Sequence, residues 1–381
     1  MRQAPLALLA ITTLVLLACE VARSDEQRPA WRPDQAGNYL DERQKVWFAF
    51  DSRGEGATRS TCVSCHTVLP YLLSRPVLDK IAGMTAPTEA ESKLLAQTKM
   101  RVENWKQLDT EAFGLFYDDG DQKKTESWGT EAVFNALVLA FDDRDQGRSA
   151  PSETTRLAFS HLWATQIQTA ELRGAWRWLD FSEPPWGASD STYFGAALAA
   201  IAVGSAPGYY TSGADADTDA HVGLLRDYLR TRLDGENLHN QAWALWAAAT
   251  LEGLLAQDDR DKVISRLIDK QHDDGGWSLS SLGPWVRNDG TAQETVSDGY
   301  ATGFVLNVLQ TAGVPKSDAR IARGLDWLTT SQAPTGEWRG VSVVKKRDPA
   351  SHVGKFMSDA ATAFAVLALR HDRNLDKSGA D

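Results

Sequence analysis

The chain has 381 residues, 43% of them hydrophobic and 24% charged, an ordinary globular composition that excludes wholesale disorder. Its formal net charge is −11, from 40 Lys and Arg against 51 Asp and Glu, so the basic excess that holds phosphate is lacking and no nucleic-acid partner is expected. The 14 Trp outnumber the 12 Phe and the 8 Tyr, and the 3 Cys (Cys19, Cys62 and Cys65) all lie near the N-terminus, so no cysteine-ligated zinc, disulfide framework or cysteine nucleophile can be built beyond them.

Residues 1–18 (MRQAPLALLAITTLVLLA) have the pattern of a secretory signal peptide. Arg2 supplies the positive end, and residues 6–18 form an apolar run too short to span a bilayer. The run ends in LLAC, which resembles the lipobox of bacterial lipoproteins, and that resemblance implies diacylation of Cys19 after export. Ordinary signal cleavage beside an unmodified cysteine is the alternative. The expected location is therefore periplasmic or cell-envelope, with the membrane reached through a lipid anchor. Loss of residues 1–18 removes one arginine and leaves a charge of −12 (−11 minus 1). Residues 19–36 are polar and contain proline, and are expected to form a tether.

Residues 37–51 (GNYLDERQKVWFAFD) have an amphipathic helical pattern, and a Gly-rich loop leads from them to Cys62-Val63-Ser64-Cys65-His66. C-x-x-C-H is the attachment pattern of covalent haem c. Two thiols at that spacing can add to both vinyl groups of one porphyrin, and the adjacent histidine then sits under the iron. The segment, bounded here as 37–88, resembles c-type cytochromes, which implies thioether bonds from Cys62 and Cys65 and iron ligation by His66. A Cys62–Cys65 disulfide is the competing expectation, and a zinc site would lack a fourth ligand. Met84 is the preferred sixth ligand. Met100 precedes the helical stripe Val102, Trp105, Leu108 and suits a core position, and an open five-coordinate iron is the alternative.

From about residue 90 the pattern is helical. Amphipathic helices are expected at about 91–108, 153–168, 219–233, 259–271 and 318–331, alternating with almost wholly apolar ones such as 129–141 and 239–255. Two segments repeat. QHDDGGW (271–277) and QAPTGEW (332–338) each place Trp six residues after Gln, and each is followed 21 residues later by the Asp of a Ser-Asp pair, Ser297-Asp298 and Ser358-Asp359. Both anchors share an offset of 61 residues (338−277 and 359−298). A degenerate copy runs from Gln168 through Gly174 and Trp176 to Ser189-Asp190. Gly permits a turn with positive φ, the indole can cover a helix end, and Ser-Asp suits an N-cap. Helices apolar all round must be buried on every side, so the alternation predicts two concentric layers. The fold expected is all-α: an α/α toroid of about five to six helix pairs over residues 89–372, with a tail at 373–381. An open solenoid is the alternative.

These repeats are similar to the QW motifs of squalene–hopene cyclases, which implies the toroid fold of terpenoid cyclases and prenyltransferases and an apolar, isoprenoid-like ligand. The Asp-x-Asp-Asp acid of those cyclases is absent; Asp215-Ala-Asp217-Thr-Asp219 is among the nearest strings. Prenyltransferases and thioester proteins need a cysteine that the toroid lacks. A non-standard acid at the toroid mouth is expected to be Asp298, Asp359 or Glu131, with Glu126, Asp190 and Tyr300 nearby. The loop around Lys345, Lys346, Arg347 and Asp348 can approach an anion or a haem propionate. The function expected is binding of an apolar ligand or partner with a redox role, the redox partner being unspecified. A terpenoid cyclase with a non-standard acid and a non-catalytic scaffold are the alternatives.

Overall fold

The structure, a computed structural model, describes residues 31–117 and 120–370, so Cys19 and the expected signal peptide lie outside the described residues. Twelve α-helices are found among them: α1 Pro33–Phe50, α2 Val68–Ala82, α3 Glu89–Glu103, α4 Asp121–Asp145, α5 Glu153–Thr165, α6 Ser191–Ser205, α7 Ala216–Arg232, α8 Leu238–Thr250, α9 Gln257–Ile268, α10 Gly299–Thr311, α11 Ala319–Ser331 and α12 Phe356–Leu369. One small antiparallel sheet, β1 Ser52–Arg53 with β2 Ser60–Thr61, closes the loop after α1, pairing Ser52 with Thr61 and Arg53 with Ser60. None of the described helices is long and apolar enough to cross a membrane.

The even-numbered helices form the inner ring. Each packs on the next, α2 on α4, α4 on α6, α6 on α8, α8 on α10 and α10 on α12, and α12 returns to α2. The ring is closed, so the fold is an α/α toroid of six pairs and not an open solenoid. Burial follows from composition. Almost every residue of α6 (STYFGAALAAIAVGS) is buried, whereas the outer α11 buries only Ile321, Gly324, Leu325 and Leu328 along one stripe. Several outer helices start on side-chain caps, including the Thr88/Glu91 capping box of α3 and Ser152 before α5.

The first pair comes from the segment around CVSCH. Helix α1 begins within the expected tether, at Pro33, and packs on α2 and α12. Helix α2 follows the motif almost directly and completes the inner ring. The CVSCH segment is therefore built into the toroid. Its inner helix is hard to read from sequence because VLPYLLSRPVLDKIA carries Pro70 and Pro76, the latter inside the helix.

The repeated Gln, Gly and Trp bond successive outer helices to one another. Trp277 Nε1 donates to Leu267 O at 2.7 Å and Trp338 Nε1 to Leu328 O at 2.8 Å, each satisfying a carbonyl at the end of the preceding outer helix. Gln271 Nε2 donates to Gly275 O at 2.8 Å and to Arg320 O, on the next outer helix, at 2.7 Å. Gln332 Nε2 donates to Gly336 O at 2.9 Å and to Arg32 O at 3.0 Å, and Arg32 N donates back to Gln332 Oε1 at 2.7 Å. The last motif thus grips the start of α1 and ties the ring's end to its beginning. Gly336 has φ +102°, and a Cβ there would lie 2.2 Å from Gln35 O, so only glycine permits this approach. In the degenerate copy the bridging residue is Gln166, which donates to Gly174 O at 3.1 Å and His221 O at 3.0 Å. Gln168, expected in that role, instead donates to Gln166 Oε1 at 3.2 Å.

Large side chains fill the toroid interior. Trp243, Tyr300, Phe304 and Phe364 are all buried, with ring centroids 4.8 Å apart for Trp243–Phe304 and 5.4 Å for both Tyr300–Phe364 and Phe304–Phe364.

Candidate functional site

The motif loop lies between α1, the N-terminus of α2 and the start of α12. Asp51 Oδ2 accepts from Cys62 N at 3.0 Å, and Trp47 Nε1 donates to Cys62 O at 3.2 Å. Ser64 N donates to Cys62 O at 3.0 Å, folding the two cysteines into a tight turn. Ser64 Oγ then accepts from Thr67 N at 3.2 Å and Val68 N at 3.1 Å, satisfying free N–H groups at the start of α2. The middle residues of the motif thereby fix where its ends point.

Those ends face a cavity. Cys62, Cys65 and His66 line a cavity of about 250 Å³ that is partly open to solvent. Phe134, Trp178, Phe181 and Trp186 form part of its apolar wall. Both thiols are free. Burial, then Asp51, then Glu131 push the Cys62 thiol up to about 12, and burial followed by Cys62 pushes Cys65 higher still. Thiols held protonated in this way are poor zinc ligands and poor nucleophiles.

His66 is clamped by aromatic rings. Phe356 stacks on it with centroids 3.9 Å apart, and Trp47 meets it edge-on at 5.2 Å. Burial, with Arg43 nearby, lowers its imidazole to about 3, so the ring is neutral across the physiological range. Nδ1 lies 2.7 Å from Thr67 Oγ1, and Nε2 has no hydrogen-bond partner among the described residues. Thr67 Oγ1 donates to Asp359 Oδ2 at 2.8 Å. Asp359 also accepts from Arg43 Nε at 2.6 Å, Arg43 Nη2 at 3.0 Å and Tyr39 Oη at 2.9 Å.

The other expected site residues are scattered. Glu131 lines the cavity, where Arg101 Nε donates to it at 2.6 Å. Arg347 is the only Lys or Arg among the described residues that line the cavity, while Lys345, Lys346 and Asp348 are exposed outside it. Met84 is corrected as the sixth ligand: it lies past the far end of α2, and fifteen helical residues separate it from His66 by roughly 20 Å. Met100 sits on α3 against the small Leu108, Phe113, Leu115 cluster, as its apolar stripe implies.

Of the three expected acids Glu131 lines the cavity, whereas Asp298 and Asp359 do not. Asp298 is the buried N-cap of α10, accepting from Tyr300 N and Ala301 N at 3.0 Å each and from Leu279 N at 2.6 Å. Burial raises its carboxyl to about 7 against the opposing effect of those N–H groups. Asp359 is enclosed by Arg43, Tyr39 and Thr67. It is not a cap either, because α12 starts three residues earlier, at Phe356. Of the nearby candidates, Asp190 accepts from Asn237 Nδ2 at 2.7 Å, Glu126 from Lys123 Nζ at 2.7 Å, and Tyr300 Oη from Trp186 Nε1 at 3.2 Å. Sequence reasoning missed Thr67, Arg43 and Phe356. Nothing in the sequence relates these residues, which meet only when the ring closes.

No family model and no curated protein matches the chain. Among solved structures, a UGL variant with dGlcA-Glc-Rha-Glc is 13% identical with a TM-score of 0.51, covering 90% of this chain and 96% of that one. A wild-type glycosidase is 11% identical with a TM-score of 0.48, covering 89% and 97%. The ent-copalyl diphosphate synthase from Streptomyces platensis is 19% identical with a TM-score of 0.45, covering 79% of this chain and 50% of that one. At these identities the likeness is one of fold: the chain is an α/α toroid.

Proposed function

We propose that the chain is an exported, lipid-anchored c-type haem protein whose redox group sits in the mouth of an α/α toroid. One observation carries this reading. Two free thiols, an unpartnered neutral imidazole nitrogen and an aromatic wall converge on one cavity. Its residues fit a haem c. Cys62 and Cys65 would form the thioether bonds and His66 Nε2 would ligate the iron. Arg347 would offset propionate charge, and Phe134, Trp178 and Trp186 would exclude water from the porphyrin faces. Haem c, when bound, supplies a one-electron ferric/ferrous couple.

Two features count against the cyclase reading. Of the three expected acids Asp298 and Asp359 do not reach the cavity and Glu131, which does, is paired with Arg101; and the interior that an isoprenoid would occupy is filled by Trp243, Phe304 and Phe364. An apolar ligand is left with the mouth cavity alone, and there it would compete with haem for the same walls. The partner of this reading is another redox protein.

The test is production of the full-length chain in a bacterium with haem-attachment machinery, followed by denaturing electrophoresis and haem staining. Wild type stains, and a Cys62→Ala/Cys65→Ala variant does not. An unstained wild-type band overturns the haem assignment. For the anchor, Cys19→Ser moves the protein from the membrane to the soluble fraction. Retention in the membrane contradicts lipidation.

A further inference from the structure

The two well-formed repeats differ at one point, and the difference leads to the candidate site. In the first repeat Asp298 binds the chain two residues after the motif tryptophan, through Leu279 N at 2.6 Å. In the second, the equivalent N–H, Gly340 N, is bound by Ser358 Oγ at 3.1 Å. Trp277 N and Trp338 N likewise pair with Thr302 Oγ1 at 2.9 Å and Thr362 Oγ1 at 3.1 Å. Ser358 thus does the work of Asp298, and Asp359, shifted by one residue, is released from it. Its buried carboxylate instead crosses to α1 and to the CVSCH loop, where it meets Arg43, Tyr39 and Thr67.

The proton positions around Thr67 follow from the Arg43–Asp359 ion pair. A threonine hydroxyl holds one proton. Burial pushes the Asp359 carboxyl up and the bidentate Arg43 pair opposes that push; as the carboxylate of this ion pair Asp359 only accepts, so the hydroxyl proton goes to Asp359. Thr67 Oγ1 must then accept at its 2.7 Å contact with His66, and Nδ1 is the ring nitrogen that carries the proton. Nε2 is left with its lone pair free, on a residue that lines the cavity.

We infer that Thr67 and Asp359 form a relay that fixes the Nδ1–H tautomer of His66, draws its proton toward the carboxylate, and so positions and strengthens Nε2 as a donor to iron. The effect on iron rests on the haem reading above; the tautomer does not. A ring with more anionic character favours ferric over ferrous iron, so the relay lowers the reduction potential. Thr67 and Asp359 are positioning residues, since neither faces the cavity.

Thr67→Val tests the relay, because it removes the hydroxyl at nearly constant volume. Asp359→Asn would leave Arg43 buried without its ion pair, and loss of folding would then obscure the result. Nitrogen-15 NMR of the histidine-labelled full chain without haem reads the tautomer directly. Wild type shows a pyrrole-type Nδ1 and a pyridine-type Nε2. Thr67→Val mixes the tautomers, and Thr67→Ser restores the wild-type pattern. In the haem-loaded chain, Thr67→Val raises the reduction potential and Thr67→Ser returns it to the wild-type value. A protonated Nε2 in wild type overturns the inference. So does a Thr67→Val chain with wild-type tautomer and potential. If the chain takes up no haem, the haem reading fails while the nitrogen shifts still decide the relay.

Discussion

At the residue scale, adjacency in sequence is a poor guide to adjacency in the site. The CVSCH pattern is local, so its three chemical groups are legible from spacing alone and do meet at one cavity. Met84 is close in sequence to His66 and distant in space, because a rigid helix separates them. Met84→Ala is therefore expected to leave the optical spectrum and reduction potential of the loaded protein unchanged. A change in either would place Met84 at the metal. Asp298 shows how burial displaces an acid that lies away from the cavity. Its carboxyl stands at about 7 against an ordinary value of 3.8, so folding takes up a proton between those limits. The contribution is fully present below about 4 and is lost as pH rises through about 7. Asp298→Asn keeps an acceptor at the cap but cannot titrate. The variant is expected to show a flatter dependence of unfolding free energy on pH between 4 and 7, measured by urea denaturation. An unchanged slope would contradict the assignment.

At the element scale, periodicity located nearly every helix after residue 88. Inner helices such as α6 and α12 are apolar on all sides, and outer ones such as α11 on one stripe, so the two layers separate in the sequence. Helix α2 was not legible because its prolines break the expected pattern, and its burial is imposed by neighbours on both sides. The motif copies were legible as a repeat but not in their register. Gln166 and Gln168 stand two residues apart, and only the three-dimensional bridge to Gly174 O and His221 O distinguishes them. Gln166→Ala is expected to cost about 1–3 kcal/mol of stability by leaving buried carbonyls without a donor. Gln168→Ala, at an exposed position, is expected to change it by less than about 0.5 kcal/mol. Chemical denaturation of the two variants checks the order, and equal losses would contradict the assigned register.

At the scale of the whole molecule, ring closure brings the site together. His66 follows α1, Asp359 belongs to the last helix, and Gln332 holds Arg32 across the same seam. The site's first-contact residues could be read from the motif, but the cavity, the aromatic clamp and the Thr67–Asp359 relay exist only because α12 returns to α1 and α2. Similarity of the repeats to cyclases pointed correctly to the toroid. In this chain the interior around Trp243, Tyr300, Phe304 and Phe364 is packed with aromatic side chains, and an open cavity lies at the CVSCH loop. The most direct measurement is the intact mass of the mature chain, produced with haem-attachment machinery and denatured before analysis. Covalent haem predicts a gain of about 600 Da that is lost when Cys62 and Cys65 are replaced. A mass with no such gain, whether it corresponds to free thiols or to a disulfide about 2 Da lighter, would contradict the account.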